Sequence, residues 1–229
     1  MSFTNISFSL LLRFFTIFVD NDKKIASSIM QEDTYKTIAA RSEGICTEKR
    51  SKFIAMAIPV RTIEEVREHL AAVNKRYYDA RHACYAYVLG PERKDFRAND
   101  NGEPSGTAGR PILGQINSLE LTDILLVVVR YFGGIKLGTS GLYAAYKEAA
   151  SEALRAATVV ERTVDEEVSF RFEYPFMNDV MRIVKEEEPE LVSQGFDQDC
   201  LMTLRIRRSQ MPRLRSRLEK VETLSFEEE

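Results

Sequence analysis

Hydrophobic and polar positions alternate from Gly44 to Val60 with a polar break at Glu48 to Ser51, which predicts two strands joined as a hairpin. The period then changes. Thr62-Ile63-Glu64-Glu65 has the spacing of a capping box, with Thr62 set to accept a backbone N–H and Glu65 to reach back, and Ile63, Val66, Leu70 and Val73 follow on one helical face. Cys84 to Leu89 reads as a strand, Pro91 to Asn101 as a polar, mobile stretch and Pro111 to Leu119 as a short helix. The unbroken apolar run Ile124 to Val129 predicts a buried strand. A long helix is expected from Ser140 or Gly141, since Leu142, Ala145, Tyr146, Ala149, Ala153 and Leu154 recur at helical spacing, with Tyr146 in the core.

A domain boundary is expected at Val159 to Asp165, where mixed charge joins two patterns. Beyond it Val168, Phe170, Phe172 and Tyr174 alternate as in a half-buried strand, and Met177, Val180, Met181 and Val184 mark a helix entered through Pro175. Leu191 to Phe196 and Leu201 to Arg207 read as a hairpin, Leu214, Leu218 and Val221 as a helix, and Thr223 to Phe226 as a final strand. Strand, helix, two strands, helix, strand is a ferredoxin-like order. The fold class is therefore α+β in two domains, residues 30–160 and 164–229.

Charge divides unevenly. Residues 1–29 hold three basic and two acidic side chains, residues 30–157 eighteen and sixteen, and residues 158–229 eleven and seventeen, for nets of +1, +2 and −6 that sum to −3. This excludes a globally basic nucleic-acid binder but leaves room for a local basic patch. Cys46, Cys84 and Cys200 are odd in number and widely spaced, which points to reduced thiols. With His69 the only histidine besides His82, and no paired cysteines, neither a metal site nor a cofactor is expected. The apolar run Ile6 to Val19 is shorter than a membrane span and is interrupted by Arg13, so residues 1–29 are expected to be a dispensable or mis-started extension before Met30, with no membrane partner.

Eight of the eleven glycines lie between Gly102 and Gly141, most of them in two segments that also concentrate hydroxyls and cations. One is Asp100-Asn101-Gly102-Glu103-Pro104-Ser105-Gly106-Thr107, continuing to Arg110; the other runs from Arg130 through Gly133, Gly134, Lys136, Thr139 and Ser140. Arg110, Arg130 and Lys136, set among glycine N–H groups and near a helix start, suit phosphate or RNA backbone. Tyr131 is a candidate for base stacking, although it and Phe132, as strand neighbours, face opposite sides. Glu103 can equally pair with Arg110 or Arg130, and Ser105 and Thr107 can cap the following helix. No Walker pattern and no G-x-S-x-G elbow positions a catalytic set, so no catalytic residue is assigned. Arg205, Arg207, Arg213 and Arg217 form a second basic cluster, readable as an RNA-facing patch or as partners of Glu186 to Glu190.

The runs NDNGEPSGTAGRP and RYFGGIKLGTSGLYAAY resemble the double signature of the Impact family in its bacterial, YigZ-like form. Arg81 to Tyr87 is similar to that family's preceding strand, and Glu48 to Ala55 to its opening hairpin. Asn101 stands where the family usually has an acid, and Ala144 where it has an arginine. The resemblance implies an N-terminal domain like domain IV of elongation factor G and a C-terminal domain like its domain V. It also implies a cytoplasmic role in translation, through RNA or a translation complex. The competing expectation is an enzyme acting on a phosphorylated or peptide-like small molecule at the same site.

Overall fold

In the computed structural model, which describes residues 33–227, the chain divides into two compact units. Within the described residues, one comprises residues 35–162 and the other residues 163–227 with 33–34. The expectations for residues 1–29 lie outside the described residues.

The larger unit is entered through β1 (Thr34–Ile38). The expected hairpin is β2 (Ser42–Glu48) and β3 (Ser51–Pro59), paired so that Glu48 faces Ser51 across a two-residue turn. Lys49 and Arg50 fill that turn at φ of 44° and 68°, the left-handed pair that a tight hairpin of this length requires. The first helix, α1 (Ile63–Arg76), is followed by β4 (His82–Leu89) and β5 (Asp95–Asn99). Then come α2 (Gly109–Ser118), β6 (Ile124–Tyr131), α3 (Gly138–Arg155) and β7 (Val159–Thr163), which pairs with β1.

Five antiparallel strands lie in the order β2-β3-β6-β4-β5, with β6 central. Its run is apolar throughout because both faces are covered. Leu125, Val127 and Val129 pack with Met56, Tyr87 and the α1 residues Val66 and Val73. Leu126 and Val128 pack with Phe53, Cys84 and the α2 and α3 residues Ile112, Ile116, Ala145, Tyr146 and Ala149. Alanines on α3 let the helix lie close to the sheet.

The stretch Pro91 to Asn101 differs from expectation, since it contains β5. That strand is paired on one side only, and residues 95–98 are exposed on both faces, so no apolar alternation advertises it. The segment Val159 to Asp165 likewise holds β7.

The smaller unit runs β8 (Asp165–Phe172), α4 (Met177–Glu187), β9 (Glu190–Phe196), β10 (Cys200–Arg207), α5 (Met211–Leu218) and β11 (Ser225–Phe226). Its sheet order is β11-β8-β10-β9. Val168, Phe170 and Phe172 with Met202, Leu204 and Ile206 face Val180, Ile183, Leu214 and Leu218 in a separate core. The protein is thus α+β in two units, and among the described residues no helix is long and apolar enough to cross a membrane.

Candidate functional site

The loop from Asp100 to Ala108 is organised by one carboxylate. Asp100 accepts the N–H groups of Gly106 (2.8 Å), Ala108 (2.9 Å) and Gly109 (2.8 Å), and so satisfies the opening of α2 from eight residues upstream. Burial pushes its carboxyl up, but these three donors outweigh that and hold it below the usual value. Ser105 and Thr107 do not cap α2: its N-cap, Ala108, has no side-chain bond, and the Thr107 hydroxyl donates back to the Pro104 carbonyl at 2.6 Å. Asn101 sits at φ 40°, and its amide donates to the Ala83 carbonyl (3.1 Å), tying the loop to β4. An acid at this position could not make that donation while ionised.

Beside this loop, Arg130 is the last residue but one of β6, on the face that carries α2 and α3, in register with Phe53 and His82. Its guanidinium lies 5.6 Å from the ring centroids of both Phe53 and Phe132. Arg130 Nη1 donates to Glu103 Oε1 at 2.6 Å, and Tyr146 Oη donates to the same oxygen at 3.0 Å. Arg130 and Glu103 are both buried. The Cys84 thiol donates to the Asp100 carbonyl at 2.9 Å and lies 3.4 Å from Tyr146 Oη; burial pushes it up to about 12. Burial, the neighbouring Cys84 and Glu103 also raise Tyr146. At neutral pH both are protonated.

Above the Glu103–Arg130 pair opens a cleft of about 420 Å³. Arg81, Lys136 and Thr139 line it with Phe132, Leu137 and Leu142. The first turn of α3 enters it uncapped by any side chain among the described residues, leaving backbone N–H groups for a ligand. His82 Nδ1 lies 2.8 Å from the Asn101 carbonyl, which can only accept, so Nδ1 carries a proton.

Of the residues singled out in the sequence, the cleft gathers Glu103, Arg130, Phe132, Lys136 and Thr139. Arg110 is exposed on the first turn of α2 and does not line it. Gly133 is a packing residue: a Cβ there would stand 2.1 Å from the Arg50 carbonyl carbon, and its N–H donates to the Ser51 hydroxyl at 3.2 Å. Gly134 supplies a left-handed turn at φ 86°, and Gly102 and Gly106 do so at 84° and 75°; Ser140 is exposed in the first turn of α3. Tyr131 points to the opposite, α1 face, where its hydroxyl donates to Asp79 at 2.7 Å. The aromatic ring in the cleft is Phe132, two residues from Arg130, and strand alternation carries that signal. Arg81 was missed, although it immediately precedes a legible strand.

The second basic cluster is matched by carboxylates within the smaller unit. Arg205 bonds Glu167 (2.7 Å) and Glu190 (3.0 Å), Arg207 pairs with Asp33, Arg213 with Glu187 (3.1 Å), and Arg217 with Glu186 and Glu187. As an RNA-facing patch it is a poor candidate, because a phosphate would have to displace these pairs.

The Impact N-terminal domain model matches residues 49–154. IMPACT family member YvyE of Bacillus subtilis is 37% identical over 155 residues, covering 68% of this chain and 71% of the relative. IMPACT family member YigZ of Escherichia coli is 33% identical over 156 residues, covering 67% and 76%. A crystal structure described as that of a hypothetical protein superposes with a TM-score of 0.69 at 28% identity, covering 86% of this chain and 99% of the other. With the domain match and relatives this similar over most of their length, the chain belongs to the IMPACT family.

Proposed function

We propose that the protein is an RNA- or ribosome-associated regulator of translation that binds RNA, without catalysis, at the cleft of its larger unit. The observation that carries this reading is the cleft's mixed lining. Arg81 and Lys136 are exposed cations to which no ion pair is assigned among the described residues, and they stand with the open first turn of α3 around Phe132, a residue 57% exposed. Cations and helix N–H groups attract phosphates, and an exposed ring offers a face on which any base can stack. Family membership supplies the link to translation that the sequence resemblance implies. The likeness of the two units to domains IV and V of elongation factor G belongs to the same proposal, as does a cytoplasmic location. That likeness draws support from the strand–helix–strand–strand–helix–strand order of the smaller unit.

The enzymatic reading has weaker support. The Cys84 thiol is held protonated and buried, so it does not stand ready as a nucleophile, and Glu103 Oε1 is held by Arg130 and Tyr146. A titration of a single-stranded oligoribonucleotide into wild type and the Arg81→Ala/Lys136→Ala double variant tests the proposal. Both side chains are exposed, so the melting temperature should hold. Affinity should fall, and the slope of log affinity against log salt should flatten by about 0.7 for each phosphate that the variant no longer neutralises. Unchanged affinity and slope would refute binding at this cleft.

A further inference from the structure

Deep in the cleft the polar lining changes character. Both hydrogen bonds to Glu103 end on Oε1, and Oε2 accepts none from the described residues. Among those residues, the buried side-chain atoms without a hydrogen bond are Arg130 Nε and Arg207 Nε, so Oε2 is not sealed in the core, and Glu103 lines the cleft. The same reasoning applies to Arg130: Nη1 is held by Glu103, and Nη2, which has no bond among the described residues, opens to the cleft. Both residues are at least nine-tenths buried, with 9% and 7% of their surface exposed. Fixed at one end by each other, they bring a carboxylate acceptor and a guanidinium donor to the same cleft. The rim also carries Arg81, Lys136 and the start of α3, which supply donors and positive charge, with the Thr139 hydroxyl and His82.

We propose that this floor reads the ribose 2′-hydroxyl of one nucleotide and so selects RNA over DNA. The inference rests on the RNA reading above and deepens it. A nucleotide whose phosphate lies against Lys136 and the α3 N-terminus, and whose base lies on Phe132, turns its sugar toward Glu103 and Arg130. A 2′-hydroxyl is at once donor and acceptor. It donates to Glu103 Oε2 and accepts from Arg130 Nη2, filling both vacant positions with one atom. Deoxyribose fills neither, and it leaves Oε2 and Nη2 stripped of water with no hydrogen bond. Phosphate contacts carry no such discrimination, since both nucleic acids present the same backbone charge.

The test compares three single-stranded oligonucleotides of one base sequence on the wild-type full chain: RNA, DNA with uracil in place of thymine, and 2′-fluoro RNA. Fluorine retains the size of the substituent but cannot donate. RNA should bind about tenfold or more tightly than DNA, from the loss of hydrogen bonds to charged groups, and 2′-fluoro RNA should bind as weakly as DNA. In Glu103→Gln, checked for folding by its melting temperature, the preference for RNA should shrink. Equal binding of RNA and DNA, or 2′-fluoro RNA binding as well as RNA, overturns the inference while leaving RNA binding at the cleft in place. Full RNA preference in folded Glu103→Gln overturns it as well, since discrimination would then arise elsewhere. Failure of RNA itself to bind overturns the underlying reading and this inference with it.

Discussion

At the scale of single residues, the charges that look most like ligands in the sequence are partly committed to the fold. Arg130 reads as a cation at a strand end, and of the two partners that the sequence allows Glu103, twenty-seven positions earlier, it is Arg130 rather than Arg110 whose Nη1 the carboxylate takes. With side chains only 8% and 4% exposed, the two stand or fall together. Arg130→Ala should cost about 3–5 kcal/mol in urea denaturation because it strands a buried carboxylate, while Glu103→Ala/Arg130→Ala should cost less than the sum of the single changes. Additive losses would mean that the pair is not coupled. Asp100 makes a prediction of the opposite kind, in pH. Its folded carboxyl lies below its unfolded value, so the stability it contributes is complete above about pH 4 and is lost as pH falls through the lower folded value. Asp100→Asn should lower stability at neutral pH and flatten the acid limb of the stability profile. An acid limb identical to wild type would place the titrating group elsewhere. This role was invisible in the sequence because Asp100 serves N–H groups six, eight and nine residues away, around a loop whose path only the fold defines.

At the scale of elements, periodicity was legible and closeness was not. The capping box is half realised: Thr62 accepts from Glu65 N at 3.2 Å, but Glu65 reaches past Thr62 to the N–H of Arg61 at 2.6 Å. The strand run of β6 and the helical run of α3 were readable because each buries a regular face in a covered layer. β5 was not readable because its side chains face solvent on both sides. The glycine cluster was legible as shaped loops, but its purpose was mixed. Gly133 carries no φ that demands glycine; it is needed because backbone from the β2–β3 turn crosses it, with Arg50 O 2.2 Å from where a Cβ would stand. Gly133→Ala should therefore cost about 1–3 kcal/mol, as overpacking does, and should speed amide exchange in that hairpin. Gly114 is the contrast, since it lies within α2 with nothing within 4 Å of a built Cβ. Gly114→Ala should stabilise by about 0.4–1 kcal/mol. If both changes lower the melting temperature alike, the close approach of Gly133 to the turn is not what sets its cost.

At the scale of the whole molecule, the chain touches the smaller unit, builds the larger one, and returns. Asp33 precedes β1 yet belongs with residues 163–227. Its carboxylate accepts from the Ser209 N–H (2.9 Å) and the Ser209 hydroxyl (2.6 Å) and pairs with Arg207, while its carbonyl accepts from Val164 N at 2.8 Å. Burial works against the charged carboxyl, but the Ser209 donors and then Arg207 outweigh it and hold the group below its usual value. A boundary drawn only from residues that follow β7 therefore omits a buried anchor. Asp33→Ala should destabilise the smaller unit by about 3 kcal/mol, since it removes charge-assisted hydrogen bonds and leaves Arg207 without its carboxylate. Each unit has its own core, so the loss should be local. Native-state hydrogen exchange should speed in β8, β10 and α5 while β3, β4 and β6 keep their protection. A fragment of residues 163–229 should show the same deficit, and a fragment that begins at residue 33 with the larger unit replaced by a flexible linker should recover it. Equal loss of protection in both sheets would show instead that the two units unfold as one.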